Sequence, residues 1–276
     1  MPELSFLGRK LFAEEKQELS FISNEVPHNV ENAFHALALD ERRAPYSPTL
    51  WEIPKDRPSS ALKTLRQCWF PGVHSSIGGG YADTSISDIT LAWMMTQLQP
   101  SLSFNPGYML DLQRANVQYY IAHHLPVASW AMGTLNRTSQ GITLFGERGR
   151  TPGKYHTLGD TSITGETVHA SVRYRMEQHG NVVGVSHKRT AHYVQYFPLA
   201  LRKWTYTPLA DPSLGAVWSR VKPVVSLAEE TIQDGTAEMD LVNAWLDVRA
   251  RLKPLGRAPG LNGSLIKWLQ SGRSRK

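Results

Sequence analysis

The sequence predicts an α/β fold, because a strand-like run in its first half is followed by two helical patterns. The run Cys68–Phe70 is apolar and rich in strand-favouring residues, and Pro71-Gly72 ends it. Apolar residues then recur at helical spacing over 91–98 and again over 106–124, which predicts two helices. A strand followed by a turn and a helix is the repeating unit of α/β proteins.

His74 lies just past the predicted strand, at the place where an open α/β sheet presents groups to a ligand. Gly78, Gly79 and Gly80 follow it, and a run of glycines lets the backbone lie close to a ligand. A hydrogen-bonded turn histidine and a plain tight turn are the commoner structures for such residues. From the residues alone, the catalytic and the structural interpretation of His74 both stay open.

A helix is also predicted over 30–37, because apolar residues form one helical stripe there and Asn29 can cap it. His35 lies beside the stripe, and Asp40 and Glu41 follow it. In one interpretation, His35 or Asp40 reaches an active site. In the other, Asp40 and Glu41 pair with neighbouring arginines and fix the end of the helix. We favour the pairing for the two carboxylates and leave the role of His35 open.

Residues 166–179 fit a helical period, and they also fit an alternating strand. Gly180 favours the helix, because glycine commonly ends helices. On that helix His169 and Arg173 would lie one turn apart, which suits contact with a carboxylate or phosphate. A surface salt-bridge face is the commoner arrangement for such residues.

The composition is that of a globular protein, with 41% hydrophobic and 20% charged residues. The single cysteine, Cys68, excludes an intrachain disulfide. The sequence has no signal-peptide pattern and no apolar run of about 18 residues that could span a membrane, so we expect a cytoplasmic location. No H-E-x-x-H motif or paired-cysteine cluster occurs, and we expect neither a metal site nor a cofactor.

The net charge of +6 comes partly from the basic end of the chain, Ser-Gly-Arg-Ser-Arg-Lys at 271–276. Such tails are commonly solvated, and this one could also make a weak contact with an anionic membrane surface. No nucleic-acid fold motif is present, and the tail lacks the aromatic residues of a single-strand binder. Nucleic acid is therefore not an expected partner.

Three ordered blocks resemble one α/β-hydrolase family. They read W-F-P-G-V-H-S-S-I-G-G-G-Y at 69–81, F-H-A-L-A-L-D-E-R-R at 34–43 and H-A-S-V-R-Y-R at 169–175. The family includes the phospholipase effectors of bacterial type VI secretion and many fungal members of unknown substrate, and the chain resembles a fungal-type member. It departs from the family at Ser76, where the family often has aspartate.

The resemblance implies a serine hydrolase that acts on ester or phospholipid substrates. In such enzymes a serine attacks the carbonyl, a histidine transfers the proton and an acid orients the imidazole. His74 is the first candidate for that histidine and His35 the second, and Gly78–Gly80 would approach the substrate. The family's G-x-S-x-G nucleophile motif is absent from this sequence, and the family's acid is expected just ahead of the residues that match Met1 onwards.

We therefore expect the C-terminal half of an α/β-hydrolase-like domain, a helix-rich partial α/β fold without the strands of the nucleophile elbow. It would be inactive unless another polypeptide supplies the missing N-terminal half. The alternative is a non-enzymatic truncated paralogue, or a gene fragment, that binds lipid or a protein partner. The domain would cover 1–205, followed by a helical extension over 206–254 with an amphipathic helix at 241–252, and a basic, disordered tail over 255–276.

Overall fold

The computed structural model describes most of the central part of the 276-residue chain. The described stretches are 24–55, 61–136, 147–154, 162–177, 182–185, 191–193, 196–210, 215–221 and 225–252. The basic tail over 255–276 lies outside them, so its predicted disorder and membrane contact stay predictions.

A six-stranded mixed sheet forms the centre of the described fold. The described residues form ten strands, six of which belong to this sheet. They are β1 (Asn32–Ala38), β2 (Ile53–Pro54), β3 (Thr64–Phe70), β4 (Ser162–Ile163), β5 (Glu166–His169), β6 (Val182–Val185), β7 (Ala191–Tyr193), β8 (Thr205–Pro208), β9 (Ala216–Arg220) and β10 (Val225–Glu230). The sheet has the order β1-β3-β5-β10-β9-β8, in which β1, β3, β5 and β10 run parallel and β9 and β8 continue antiparallel. The other strands form two short antiparallel pairs, β2 with β4 and β6 with β7.

Helices cover the sheet, and its two faces have separate apolar cores. The described helices are α1 (His74–Gly78), α2 (Ser85–Leu98), α3 (Tyr108–Ala122), α4 (Ala170–Glu177) and α5 (Ala237–Leu252). Residues of α2, α3 and α5 pack with Phe70 in one core, and residues of α4 and the 3-10 turn Leu199–Leu201 pack with Trp69 in the other. The neighbours Trp69 and Phe70 reach different cores because successive side chains of a strand point to opposite faces.

Residues 32–38 form the strand β1, so the helix predicted over 30–37 is wrong. The strand pairs in parallel with β3 along its whole length. Leu37 packs in the core of one face, and Phe34 and Ala36 pack against the core of the other. A strand buried on both faces is apolar almost throughout, and its sequence therefore fits a helical period as well as a period of two.

The helix predicted over 166–179 is correct only in its second half. Residues 166–169 form β5, which lies between β3 and β10, and α4 begins directly at Ala170. His169 therefore ends a strand while Arg173 lies in a helix, and the predicted common helical face does not exist. Pairing with two neighbouring strands overrides the local helical period here.

The strand predicted at Cys68–Phe70 and the helices predicted over 91–98, 106–124 and 241–252 are confirmed as β3, α2, α3 and α5. The α/β class is therefore correct. Strands β8 to β10 belong to the same sheet as β5, while the proposed division of the chain after residue 205 stays a prediction. In the part of the chain that the structure describes, no helix is both long and apolar enough to cross a membrane.

Candidate active site at the carboxyl edge of the sheet

Two loops meet at the carboxyl edge of the parallel strands, where open α/β sheets bind their ligands. One loop follows β1 and contains Asp40 and Glu41, and the other follows β3 and leads through Gly72 to His74. The Asp40 N–H donates a hydrogen bond of 3.0 Å to the Gly72 carbonyl. The parallel pairing of β1 with β3 thus brings carboxylates of the first loop next to the histidine of the second.

His74 is the first residue of α1, and its side chain is exposed. Its ring lies 4.7 Å from the ring of Tyr46, centroid to centroid, at an angle of 53°. Its backbone N–H donates to Oε2 of Glu41 at 3.1 Å. The residue is exposed, and among the described residues no group hydrogen-bonds to its imidazole.

Glu41 is a buried carboxylate with 1% of its surface exposed, and several donors surround it. Oε1 accepts hydrogen bonds from the backbone N–H groups of Arg42 (3.0 Å) and Arg43 (2.9 Å) and from Nε of Arg43 (2.9 Å). Oε2 accepts from Nη2 of Arg43 at 2.8 Å in addition to the His74 N–H. Burial alone would raise the pKa of Glu41, but these hydrogen bonds and the Arg43 charge outweigh it and lower the pKa to about 2. Glu41 is therefore ionised at neutral pH.

A stack of side chains connects Glu41 to the imidazole of His74. The guanidinium of Arg43, held by Glu41, lies 3.9 Å above the centroid of the Tyr46 ring, and Tyr46 in turn contacts His74. A cation over an aromatic face is attracted to it, so each member of the stack restricts the next. We call the set Glu41, Arg43, Tyr46 and His74 the histidine stack.

Asp40 belongs to a different hydrogen-bond network at the same edge. Its Oδ2 accepts from the Gly72 N–H at 2.7 Å and from the Tyr196 hydroxyl at 2.9 Å. Burial raises the pKa of Asp40, although these two hydrogen bonds and the charge of the buried Arg175 act against the rise. The network fixes the loop that leads to His74. Among the described residues Asp40 makes no ion pair with an arginine, whereas Glu41 pairs with Arg43.

The glycine run follows directly from the helix that His74 begins. Gly79 and Gly80 have φ angles of 87° and 115°, a region that favours glycine. A Cβ at Gly78 or Gly79 would meet no described atom within 4 Å. The backbone path, and not close packing, is therefore what requires glycine here. The contact of Gly78–Gly80 with a substrate stays a prediction.

His35 lies in the middle of β1 and does not come close to His74. Its Nδ1 is 3.2 Å from Oε1 of Gln67 in β3, and its ring centroid is 5.7 Å from that of Trp51. Burial lowers the pKa of His35, and the hydrogen bond to Gln67 offsets this only in part. The side chain thus joins the network that holds the loop at Trp51 against the sheet, since Gln67 also bonds to the Trp51 backbone.

Arg173 is buried and paired within the protein. Its Nε and Nη2 donate to the Glu229 carboxylate at distances of 2.9 to 3.1 Å, and its Nη1 donates to Glu177 at 3.2 Å. Burial alone would lower the pKa of Arg173, but the hydrogen bonds and charge of Glu229 raise it. The guanidinium therefore already binds a carboxylate, and the predicted contact with an external anion stays a prediction.

A Ser–His–Glu arrangement surrounds His169, the other predicted anion contact. Nδ1 lies 2.7 Å from Oγ of Ser171, and Nε2 lies 2.8 Å from Oε1 of Glu238. These identities match a catalytic triad, but His169 and Ser171 are 0% exposed. Nδ1 also accepts the backbone N–H of Ser171 at 3.2 Å, as a helix cap does. The imidazole thus caps α4 and ties it to the first turn of α5. The sequence patterns missed this link because Glu238 lies in a distant helix.

Two carboxylates beyond the glycine run, the partly buried Asp83 and the buried Asp88, fix the start of α2. Asp83 accepts hydrogen bonds from the Thr134 N–H at 2.8 Å and from the Tyr120 hydroxyl at 2.7 Å, and such bonds lower its pKa although burial acts against them. Asp88 accepts from the Thr84 hydroxyl at 2.8 Å. Burial raises the pKa of Asp88 to about 6, with a smaller contribution from the Asp83 charge.

Asp88 should make the protein less stable as the pH rises from about 4 to about 6. A carboxyl whose pKa is higher in the folded chain stabilises the fold fully below the unfolded value of 3.8, and this stabilisation is lost as the pH rises through about 6. Asp88→Asn removes the ionisation and should gain on the order of 2–3 kcal/mol over the natural protein at pH 7. Urea unfolding between pH 4 and 7 measures the difference. Asp111→Asn, on the exposed face of α3, is the control, and a gain independent of pH would contradict the prediction.

One family comparison covers the edge that carries His74. Residues 2–97 match the family described as T6SS, Phospholipase effector Tle1-like, catalytic domain. This part of the chain is similar to a phospholipase catalytic domain. The match spans about a third of the chain and includes the histidine stack and Gly78–Gly80. No curated protein and no solved structure matches the chain.

The described stretches contain no group of three or more His, Cys, Asp or Glu side chains arranged to hold a metal ion. The expectation that the protein uses neither a metal nor a cofactor stays a prediction.

Proposed function

We propose that the protein takes part in the hydrolysis of phospholipid or related ester bonds, with His74 as the general base. The placement of His74 carries the proposal. It is an exposed imidazole at the carboxyl edge of a parallel sheet, within the stretch that is similar to a phospholipase catalytic domain. A general base must reach the proton that it removes, and the fully buried His169 cannot do so.

In this reaction a serine hydroxyl attacks the ester carbonyl carbon and gives its proton to the imidazole. The imidazolium then protonates the departing alcohol. Water next attacks the acyl-serine ester and gives its proton to the imidazole, and the imidazolium protonates the serine oxygen as the acid is released. An exposed imidazole without a hydrogen-bond partner among the described residues suits both proton transfers. The positive φ angles at Gly79 and Gly80 give a backbone path that a larger residue would not adopt, and we propose that this loop borders the substrate.

We propose that the nucleophile comes from a segment outside these 276 residues. The sequence has no G-x-S-x-G motif, and Ser171, the serine that contacts a histidine, is closed to substrate. In the described part, β1 is the outer strand of the sheet and pairs on one side with β3. Its other side can accept a parallel strand that carries the nucleophile elbow. The chain by itself would then be inactive.

The same edge of β1 supports a second candidate function, a non-enzymatic protein that binds a partner by adding a strand to its sheet. The two candidates differ in what they require of His74. A hydrolase needs the imidazole, whereas strand addition at β1 uses backbone groups and does not.

The test combines the chain with the polypeptide encoded directly upstream of Met1 and measures turnover of p-nitrophenyl butyrate and of phosphatidylcholine vesicles. We expect turnover in the combined protein, none in the chain alone, and a loss of about 10²–10⁴-fold in His74→Ala. His28→Ala, which changes another exposed histidine, should leave turnover unchanged.

Three outcomes would contradict parts of the proposal. Turnover that survives His74→Ala would remove His74 as the base. Turnover by the chain alone, abolished by His74→Ala, would place the nucleophile within these residues. An upstream sequence without a strand, G-x-S-x-G and helix would favour the non-enzymatic candidate.

A further inference from the structure

We propose that Glu41 positions the imidazole of His74, both through the His74 backbone and through the stacked side chains of Arg43 and Tyr46. The inference rests on the proposed role of His74 as the base. Glu41 bonds the His74 backbone and not its ring, so it acts in addition to the family's acid, whose expected place ahead of Met1 stays a prediction.

The first support is the convergence of donors on one buried carboxylate. Glu41 receives hydrogen bonds from the β1 loop, through the backbone N–H groups of Arg42 and Arg43, and from the β3 loop, through the N–H of His74. The carboxylate therefore ties together two loops that follow neighbouring parallel strands. A carboxylate with 1% exposure and this number of donors has one position, so it fixes where α1 begins.

The second support is the geometry of the stack. Nε of Arg43 donates to Oε1 of Glu41 at 2.9 Å and Nη2 donates to Oε2 at 2.8 Å. This two-point contact sets the plane of the guanidinium. The Tyr46 ring centroid lies 3.9 Å from Cζ of Arg43 and 4.7 Å from the centroid of the His74 ring. Arg150 donates a short hydrogen bond to the Tyr46 carbonyl and holds that residue's backbone. The imidazole thus rests on a ring whose own position depends on Glu41.

The third support is the charge around the imidazole. Among the described residues, the charged and titratable groups around Arg43 and Tyr46 include Glu41, Tyr81 and Arg150, whose guanidinium donates to the Tyr46 carbonyl. Glu41 and Arg43 form an ion pair and largely offset each other. A general base becomes an imidazolium when it accepts a proton, and a nearby carboxylate stabilises that form. Removing the Glu41 charge would leave the Arg43 cation next to the imidazolium and disfavour it.

The experiment follows the His74 imidazole by NMR in the full chain with labelled histidine, and His74→Gln identifies its signals. In Glu41→Gln we expect the midpoint of the His74 titration to move to lower pH by about 0.5–1 unit. Glu147→Gln is the matched control, because it removes an exposed carboxylate of the neighbouring segment that pairs with Arg42. It should move the midpoint by less than about 0.2 unit, since exposed and solvated charges interact weakly.

A second pair of variants tests the stack if Glu41→Gln does not fold. Tyr46 is 42% exposed, so its replacement is compatible with folding. Tyr46→Ala should change the ring shifts and narrow the His74 signals, whereas Tyr46→Phe, which keeps the ring, should preserve them. If Glu41→Gln folds, unchanged His74 signals and titration in that variant would overturn the inference. If it does not fold, unchanged His74 signals in Tyr46→Ala would do so.

The NMR result does not depend on turnover, so the two proposals can fail separately. Titration shifts as expected, together with turnover unaffected by His74→Ala, would leave Glu41 as a positioning residue and reject the hydrolase. In an active combined protein, Glu41→Gln should lower kcat more than it raises KM and move the acid limb of the kcat–pH profile in the direction of the NMR midpoint. A fall in activity with an unmoved profile and midpoint would reduce Glu41 to a structural role.

Discussion

Arg173→Met should lower the free energy of unfolding by about 3–5 kcal/mol, because it leaves the Glu229 carboxylate buried without its counter-charge. The Glu229 side chain is 0% exposed and receives three hydrogen bonds from the Arg173 guanidinium. The pair joins α4 to β10, so its loss also loosens the strand that lies next to β5. Urea unfolding at pH 7, followed by circular dichroism, measures the change.

The double variant Arg173→Met/Glu229→Leu separates the cost of an unpaired charge from the loss of the pair itself. Replacing both partners with apolar groups removes the buried charge, so most of the lost stability should return. Arg251→Met, which breaks an exposed ion pair with Asp247, should cost no more than about 0.5 kcal/mol. If Arg173→Met is as stable as Arg251→Met, the prediction is contradicted. If added phosphate stabilises the natural protein by binding at Arg173, the anion contact is supported instead.

Gly165→Ala should destabilise the protein by about 2–5 kcal/mol, for two reasons that add. Gly165 has a φ of +59°, which costs an alanine about 1–2 kcal/mol. A Cβ there would lie 2.5 Å from the carbonyl oxygen of Leu65, a backbone atom of β3 that cannot move aside, and such overpacking costs about 1–3 kcal/mol. The Gly165 carbonyl also accepts the Gln67 N–H at 3.0 Å, so the strain falls on the pairing of β5 with β3.

Gly149→Ala provides the control for this glycine, because a Cβ at Gly149 would meet no described atom within 4 Å. Its effect should stay within about 0.5 kcal/mol. Thermal unfolding of both variants gives the comparison. Equal melting temperatures would mean that β3 and β5 can separate by the half ångström or more that an alanine requires. The His74 signals should also change in Gly165→Ala, since β3 leads to His74.

The strand β1 shows why local patterns could not give the whole fold. Its apolar residues satisfy a helical period and a period of two equally well, because β1, although it is the outer strand in the described part, packs side chains on both faces of the sheet. Pairing with β3 decides between them. That partner begins only at Thr64, well beyond the end of β1 at Ala38, so the local sequence of β1 does not contain it. Segment 166–177 divides into β5 and α4 for the same reason, because its first residues pair with β3 and β10 and therefore form a strand.

The candidate site divides in a similar way between local and long-range information. The resemblance to the hydrolase family, together with the place of His74 after the strand at Cys68–Phe70, predicted His74 as the base. The structure puts it at the exposed carboxyl edge, where its catalytic role stays a proposal. The pairing of a carboxylate with a neighbouring arginine was predicted and holds for Glu41 with Arg43. The hydrogen bond from His74 to Glu41 joins residues 33 positions apart, and no local pattern contains it.

By itself, the sequence determined the α/β class, the strand β3, the helices α2, α3 and α5, and the segment that carries His74. These depend on short-range physics: apolar periodicity within one element, and proline or glycine at its ends. The tertiary structure alone decided that 32–38 is a strand, that Arg173 binds Glu229, and that Glu41 accepts a hydrogen bond from the His74 backbone. Each of these depends on which strands become neighbours, because parallel pairing brings together charges and hydrogen-bond donors from distant parts of the chain.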